Sequence, residues 1–192
     1  MSAPPDNIFS AALEVTQALD GAGIPYALGG AFAYGVWAIP RATTDIDINV
    51  FVSDEDMPNI DRLFDVMERV GVTIDRPSAI ARIRRDGMFV SWWDDYKIEV
   101  FVISVPFQRE AFRTRVEKRH GVRTVWFLSA EAIAVFKLMF HRSKDLVDLE
   151  RLVAIAPLDH SYVRRWIADM LGDDDFRLAS WDRLVAGTPT PE

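Results

Sequence analysis

The chain has 192 residues, enough for one domain or for a core domain with a smaller lobe, since domains commonly contain about 100–200 residues. It contains no cysteine, which excludes disulfides, thiolate metal sites and a cysteine nucleophile, and its three histidines lie too far apart to form a zinc motif. The net charge of −7 argues against a protein that coats nucleic acid regardless of sequence, although a local basic surface stays compatible with it.

The sequence gives no reason to expect a targeting segment or a membrane span. Residues 1–10 contain an aspartate and two prolines but no basic region followed by an apolar segment. No later run approaches the about 20 apolar residues of a membrane span. We therefore expect a cytoplasmic protein without a membrane partner, and we expect the linker-like tail at 187–192 to be frayed.

The first two thirds of the chain mix helical and strand patterns. Apolar residues recur every three or four positions in helical segments and every second position in strands, and Gly or Pro separates the segments. In chain order, these patterns predict a helix over 8–19, a strand over 25–28, a short helix over 31–37, a strand over 45–52, a helix capped by Ser53 or Asp54 and ended at Gly71, and hairpins over 88–103 and 115–127.

From Ser129 onward the pattern becomes helical. We predict helices over 130–140, 143–155, 161–171 and 175–185. Strands followed by helices favour a mixed α/β (α+β) fold, with a sheet of about four or five strands flanked by helices. We place the core at residues 1–128 and a small helical region that packs on it at 129–186.

Two carboxylates stand out on the predicted strand over 45–52. Asp45 and Asp47 point to the same side, because side chains alternate with a period of two along a strand. Two adjacent acids repel each other and lose solvation, unless cations lie between them. A pair of Mg²⁺ ions about 3.5–4 Å apart would suit such a site, but it needs a further acid. The alternative is an exposed strand face with solvated acids.

Glu99 is the preferred third acid. It interrupts an otherwise apolar strand between Ile98 and Val100. Asp94 and Asp95 are rivals, but they lie between two strand-like runs, where aspartate commonly serves a turn. The alternative for Glu99 is an edge or salt-bridged glutamate near Lys97 or an arginine.

The glycine pair Gly29-Gly30 precedes the predicted short helix. Glycines let backbone amides approach a ligand closely, and the amino end of a helix favours anions. A phosphate site is therefore expected there. The segment lacks the Lys-Ser/Thr of a P-loop, so its specificity depends on the neighbouring motifs.

Together these motifs resemble a known signature. The run from Leu28-Gly29-Gly30 to Arg41-Ala42-Thr43-Thr44-Asp45-Ile46-Asp47-Ile48, with Glu99 on a later strand, resembles that of the DNA polymerase β-like nucleotidyltransferase superfamily. The Arg-x-Thr-x-Asp-x-Asp form, with Lys137, Arg142, Lys144, Asp145 and Asp148, is more specifically similar to the AbiEii-like group of bacterial nucleotidyltransferase toxins. The resemblance covers roughly residues 24–52, 96–103 and 128–152.

The resemblance implies a nucleotidyltransferase core at 1–128 with specific residue roles. Asp45, Asp47 and Glu99 would be catalytic and would hold two Mg²⁺ or Mn²⁺ ions, and one of the acids, with Glu99 as the candidate, would help to activate the acceptor hydroxyl. Gly29 and Gly30 would bind the triphosphate of the NTP substrate. Two positions depart from the pattern: Ala31 replaces a serine or threonine, and Glu99 replaces an aspartate in many relatives.

Four further residues are candidates for the nucleotide site. Arg41 and Thr44 adjoin the acid pair and would orient the nucleotide, with ordinary turn residues as the alternative. Lys137 lies on an apolar helix, where its ammonium must reach solvent or meet an anion. Asp145 and Asp148 share a helix face, which is typical of surface acids and capping. The resemblance instead places Lys137 and Asp145 at the nucleotide.

The acceptor stays open between an RNA and a small molecule. The toxin resemblance and the basic stretch at 109–123 favour RNA or tRNA and suggest a cognate antitoxin. The similar signature of aminoglycoside and lincosamide nucleotidyltransferases favours a small cationic acceptor, which would need an acidic pocket that could include Asp94 and Asp95. A third possibility is a non-catalytic domain that binds nucleotide or a partner. A solvated surface is the alternative reading of the 109–123 stretch and of the basic group Arg82, Arg84 and Arg85.

Overall fold

A computed structural model describes residues 5–187, so the predicted frayed tail lies, apart from Gly187, outside the described residues. The described part contains nine helices and six strands that alternate early and become all helical after Phe127. In chain order the elements are α1 (Ile8–Gly21), β1 (Tyr26–Leu28), α2 (Gly30–Trp37), β2 (Asp45–Ser53), α3 (Met57–Val70), α4 (Arg76–Asp86), β3 (Met88–Trp93), β4 (Tyr96–Ile103), α5 (Pro106–Thr114), β5 (Val116–His120), β6 (Arg123–Phe127), α6 (Ala130–Phe140), α7 (Ser143–Ile155), α8 (His160–Leu171) and α9 (Phe176–Ala186).

All six strands form one mixed sheet in the order β3-β4-β2-β1-β6-β5. The pairs β2–β4 and β1–β6 are parallel, and the other neighbours are antiparallel. The predicted mixed α/β fold is confirmed. The expected four or five strands are corrected to six, because the β5–β6 hairpin joins the sheet through the pairing of Phe127 with Leu28.

The strand β2 is covered on both faces beyond its first residues. Ile46, Ile48 and Val50 are fully buried on one face, as the alternation predicts. On the other face Asn49 and Phe51 are buried as well, and the Phe51 ring lies 5.0 Å from that of Phe112 on α5. Only the segment that carries the two aspartates therefore opens toward solvent.

Two helices that the apolar pattern did not predict, α4 and α5, flank this part of the sheet. Each has a proline in its first turn, which suits a helix start. Charged residues interrupt their apolar pattern, and in α4 the buried residues are Ala79 and Ile83. The start of α3 also differs, because β2 continues to Ser53 and Asp56 caps the helix instead of Ser53 or Asp54.

The helices α6 to α9 follow the sheet. Ser129 caps α6 by accepting a hydrogen bond from the Ala132 amide at 3.1 Å, so the predicted boundary after residue 128 falls in the connection between β6 and α6. The buried side chains of these helices belong to the same hydrophobic cluster as those of the sheet. The division into a core and a separate helical region stays a prediction. Between residues 5 and 187, none of the helices combines the length and the hydropathy that a bilayer-spanning segment needs.

Candidate active site

The register of two parallel strands brings the three predicted acids together. Asp47 of β2 lies beside Glu99 of β4, and Asp45 lies beside Lys97. Because side chains alternate, the three acids share one face of the sheet while Ile46 and Ile98 share the other. The apolar face is fully buried, which fixes this register, since a one-residue slip would bury the acids instead.

The glycine turn packs directly against Asp47. The Gly29 amide donates a hydrogen bond to the Asp47 carbonyl at 2.8 Å, and α2 begins at Gly30 with a φ of 49°. A Cβ atom on Gly30 would lie only 1.7 Å from Oδ2 of Asp47. Glycine is therefore required at this position by both backbone conformation and space. The amino end of α2 and the carboxylate group form one contiguous surface.

The acids are electrostatically coupled. Burial, followed by the charges of Glu99 and Asp45, raises the pKa of Asp47 to about 6. The carboxylate of Glu99 forms an ion pair with Lys97, its neighbour two positions earlier on β4. With Glu99 engaged in this way, residues 5–187 contain no group of three or more acidic or histidine side chains arranged around a metal position.

The donor chemistry nevertheless suits hard divalent cations. Carboxylate oxygens are the preferred protein ligands of Mg²⁺ and Mn²⁺, and a cation would offset the repulsion that raises the pKa of Asp47. Binding to all three acids would require Glu99 to exchange its ammonium partner for the cation. Asp45, Asp47 and Glu99 are thus the residues that could hold metal ions.

A cavity of about 820 Å³ lies above this face of the sheet. Its walls include the predicted residues Gly30, Arg41, Thr44, Lys137 and Asp145 together with the three acids. Asp94 and Asp95 do not line it, because they form the turn between β3 and β4, where Asp94 has a φ of 53°. Cationic groups are frequent in the walls; they are Arg41, Arg82, Lys97, Lys137, Arg142 and Lys144.

Lys137 belongs to a buried ionic network. Its Nζ lies 2.6 Å from Oδ2 of Asp148 and 3.3 Å from Oδ1 of Asp145. Asp148 and Asp145 are only 4% and 1% exposed, so the interpretation of this pair as surface acids is wrong. The physical reason is that α7 turns this face toward α6, where Lys137 supplies the opposite charge. The capping prediction holds for Asp145, which accepts a hydrogen bond from the Arg142 amide at 3.2 Å.

Two arginines of the cavity wall extend this ionic network. The Arg142 guanidinium contacts Asp145 at 2.7 Å, and Arg41 reaches Asp148 at 3.3 Å from the loop before β2. Burial would raise the pKa of Asp145, but the hydrogen bond from Arg142 and the charge of Lys137 outweigh it and hold that pKa below its usual value. Thr44 donates a hydrogen bond to Oδ1 of Asp45 at 3.4 Å.

The sequence pattern did not assign several residues of the site to the nucleotide or to the metal ions. Asp148, Arg142 and Lys144 carried part of the resemblance, but their positions depend on how α6 meets α7. Lys97 was named in the sequence as a possible salt-bridge partner of Glu99, and it shares the face of Glu99 because it lies two positions earlier on the same strand. Arg82 belonged to the basic group Arg82, Arg84 and Arg85 in the sequence, but its place in the cavity wall could not be predicted because α4 was not predicted.

The basic stretch at 109–123 lies away from the cavity. It runs from α5 into β5, the edge strand three positions from β2 in the sheet, and contributes no residue to the cavity wall. Arg115 is a packing residue: its guanidinium lies 4.0 Å from the ring centre of Phe112 and 4.3 Å from that of Trp126. Burial lowers the pKa of Arg115.

Two solved structures share this fold over most of their length. The antibiotic-resistance factor ANT(2″)-Ia in solution has a TM-score of 0.52 and 17% identity, covering 92% of this chain and 88% of that chain. A crystal structure of ANT(2″)-Ia in complex with adenylyl-2″-tobramycin has a TM-score of 0.51 and 16% identity, covering 92% and 96%. At these identities the likeness concerns the fold alone. No curated protein matches the chain in a sequence comparison.

The sequence pattern of a protein family covers most of the chain. That family is described as nucleotidyl transferase AbiEii toxin, type IV TA system, and its pattern matches residues 15–186. The match spans both the sheet with the three acids and the helices that carry Lys137 and Asp145. The chain therefore belongs to the AbiEii family of nucleotidyltransferases.

Proposed function

We propose that this nucleotidyltransferase moves a nucleoside monophosphate from an NTP to a hydroxyl of an RNA in a reaction that depends on divalent metal ions. The observation that carries the proposal is the parallel register of β2 and β4, which aligns Asp45, Asp47 and Glu99 beside the glycine turn. Two Mg²⁺ or Mn²⁺ ions bound by these acids would stabilise the charge that develops on the attacking and leaving oxygens.

Each part of the site has a defined task in this reaction. The acceptor oxygen attacks the α-phosphorus, the bond from that phosphorus to the β-phosphate oxygen breaks, and pyrophosphate leaves with the electron pair. The amino end of α2 at Gly29-Gly30 receives the departing phosphates. Arg41 and Thr44 orient the nucleotide beside Asp45. Glu99 orients the acceptor hydroxyl, whose proton passes to water.

Lys137 and Asp145 act at the nucleotide through the ionic network. Asp145 holds Arg142 and Lys137 at the cavity wall, so that both cations face the phosphates at fixed positions. Lys144, the neighbour of Asp145, also lines the cavity. This arrangement supports nucleotide binding by the start of α7.

The charge of the cavity supports an RNA acceptor over a cationic small molecule. Six cationic side chains line the walls, whereas Asp86 and Asp145 are the acids there besides the three assigned to metal ions. A surplus of positive charge attracts polyanions. The acidic pocket that a cationic antibiotic would need is not built from Asp94 and Asp95, which lie in a turn outside the cavity. The family description supports a cognate antitoxin as a partner.

The test is incubation of the protein with each α-labelled NTP, Mg²⁺ or Mn²⁺, and either total RNA or a panel of hydroxylated small molecules. We expect label in RNA, and no label when a chelator removes the metal. Label in small molecules alone would show that the acceptor is a small molecule and not an RNA. Nucleotide binding without transfer to any acceptor would favour the non-catalytic domain.

The three acids can be tested against a matched control. The double change Asp45→Asn and Asp47→Asn, and separately Glu99→Gln, should each reduce transfer by at least about 100-fold while the fold is retained in circular dichroism. Asp95→Asn is the same kind of change outside the cavity and should leave transfer intact. Loss of transfer in Asp95→Asn with retention in Glu99→Gln would contradict the assignment of the third ligand.

A further inference from the structure

One end of the cavity has a lining unlike the rest. Beyond Glu99 the walls become apolar and aromatic, and the guanidinium of Arg82 lies beside Met88 there. The apolar lining residues of this end are Met88, Phe101, Val105, Phe136, Met139 and Phe140. We propose that this end, the aromatic subsite, binds the terminal nucleoside of the acceptor RNA, with its base stacked on Phe140 and an adjacent phosphate on Arg82. The inference rests on the proposed function.

The position of the aromatic subsite follows from the direction of attack. In an in-line displacement the attacking and leaving oxygens lie on opposite sides of the phosphorus. The leaving side is fixed by Gly30, which packs against Asp47. Glu99 lies on the next strand, and Phe101 follows it on the same face of β4 with Met88 of β3 as its neighbour. The acceptor must therefore approach from the side that holds the aromatic subsite.

Phe140 has the exposure that a stacking platform requires. It is the last residue of α6 and is 52% exposed although it borders the cavity. Its ring lies 6.3 Å from that of Phe101, and the Arg142 guanidinium covers it at 4.9 Å from the ring centre. A large apolar side chain left open beside a reactive centre is suited to a flat ring, and any base presents one.

Arg82 is available for an anion. Among residues 5–187 no carboxylate forms a salt bridge with it, since the neighbouring Asp86 is held by Arg85 at 2.7 Å. The hydrogen-bond partner of its Nη2 is the Met88 sulfur at 3.3 Å, and its Nε is buried without any partner. A buried guanidinium donor without an acceptor is costly, and a phosphate oxygen would satisfy it.

The experiment measures binding of a short single-stranded RNA carrying fluorescein at its 5′ end, and of the same RNA with an abasic residue at its 3′ end. Fluorescence anisotropy gives Kd for the full chain and for Phe140→Leu, Phe140→Tyr and Phe176→Leu. Phe140→Leu should weaken binding of the intact RNA about ten-fold, whereas Phe140→Tyr keeps the aromatic face and should bind as the native protein does. Phe176 is a matched control, because it is 59% exposed on α9 and does not line the cavity.

The abasic RNA separates stacking from a general loss of structure. It should bind the native protein about ten-fold more weakly, and Phe140→Leu should weaken it no further. Equal effects of Phe140→Leu on both RNAs would overturn the proposal. An effect of Phe176→Leu as large as that of Phe140→Leu would overturn it too.

Arg82 is tested by salt dependence. Arg82→Gln should lower the slope of log Kd against log salt concentration by about 0.7, the value for one phosphate contact to a single strand. An unchanged slope would remove Arg82 from the subsite.

These binding measurements do not require catalysis. If Phe140→Leu weakens binding of the intact RNA but not of the abasic RNA, and no NTP supports transfer, only the proposed function is refuted. Transfer to RNA without this difference between the two RNAs would refute the aromatic subsite alone.

Discussion

Gly30 links the backbone of the proposed phosphate site to the position of Asp47, which we propose to be catalytic. In Gly30→Ala the new methyl group would lie 1.7 Å from Asp47 Oδ2, and the φ of 49° would be strained. Asp47 must then move, and a displacement of about 1 Å can cost about 100-fold in rate. We expect this loss in the transfer assay with α-labelled NTP.

Gly21 provides the control for this change. It ends α1, its φ is not positive, and an added Cβ would meet no atom within 4 Å. Gly21→Ala should therefore leave transfer and the melting temperature nearly unchanged. Transfer by Gly30→Ala at the native rate would show that the contact with Asp47 is not needed.

At the residue scale, the sequence predicted the three acids and one ion-pair partner, Lys97, but not the partners of Lys137. Asp45 and Asp47 share a face because of strand alternation alone, so local spacing was sufficient. The ion pair of Lys97 with Glu99 also follows from spacing within one strand. The contacts of Lys137 with Asp145 and Asp148 join residues 8 and 11 positions apart across two helices, and their geometry depends on packing that a single sequence does not state.

At the scale of elements, the ion pairs of the network connect α6, α7 and the loop before β2. Lys137→Met would leave Asp145 and Asp148 buried without their shared ammonium. Removing one partner of a buried ion pair costs about 3–5 kcal/mol when the remaining charge is uncompensated. Here Arg142 still contacts Asp145 and Arg41 still contacts Asp148, so we expect a smaller loss of about 2–3 kcal/mol. Urea unfolding followed by circular dichroism should show a loss of this size.

An exposed pair in the same helical region gives the comparison. Arg164 and Asp182 join α8 and α9, and their side chains are 48% and 50% exposed. Arg164→Met should change the free energy of unfolding by about 1 kcal/mol or less. If Lys137→Met were equally mild, the network would not fasten these elements.

Hydrophobic spacing identified the helices and strands that bury a continuous apolar face. It failed for α4 and α5, where charged residues interrupt the apolar pattern. Capping signals were present at both, since Asp75 precedes α4 and Pro106 begins α5. The count of six strands needed the tertiary pairing of β1 with β6, which brings together residues about a hundred positions apart.

For the whole molecule, the distribution of charge separates two basic regions. One lines the cavity, and the other lies on the β5–β6 hairpin at the opposite edge of the sheet. We expect the double change Arg119→Gln and Arg123→Gln, both exposed on that hairpin, to alter the Kd for the fluorescent RNA less than two-fold. Lys144→Gln, a neutralisation within the cavity, should weaken NTP binding severalfold in a titration with each triphosphate.

If the two hairpin changes weakened RNA binding strongly instead, the nucleic-acid path would lie on the hairpin. A large loss of RNA affinity in Arg119→Gln with Arg123→Gln, at unchanged NTP affinity, would mean that RNA crosses the sheet edge on its way to the cavity. The slope of log Kd against log salt concentration, measured for each variant, gives the number of phosphate contacts that each region makes.

The edge position of β5 affects how the protein can associate with other chains. Its outer backbone groups have no neighbouring strand within the described residues, and such a strand can recruit another chain into a continuous sheet. Lys118, Arg119 and His120 are all exposed on this five-residue strand. Glu117 is exposed there as well, and charged side chains on an edge strand discourage pairing with another strand, so we expect β5 to resist edge-to-edge aggregation.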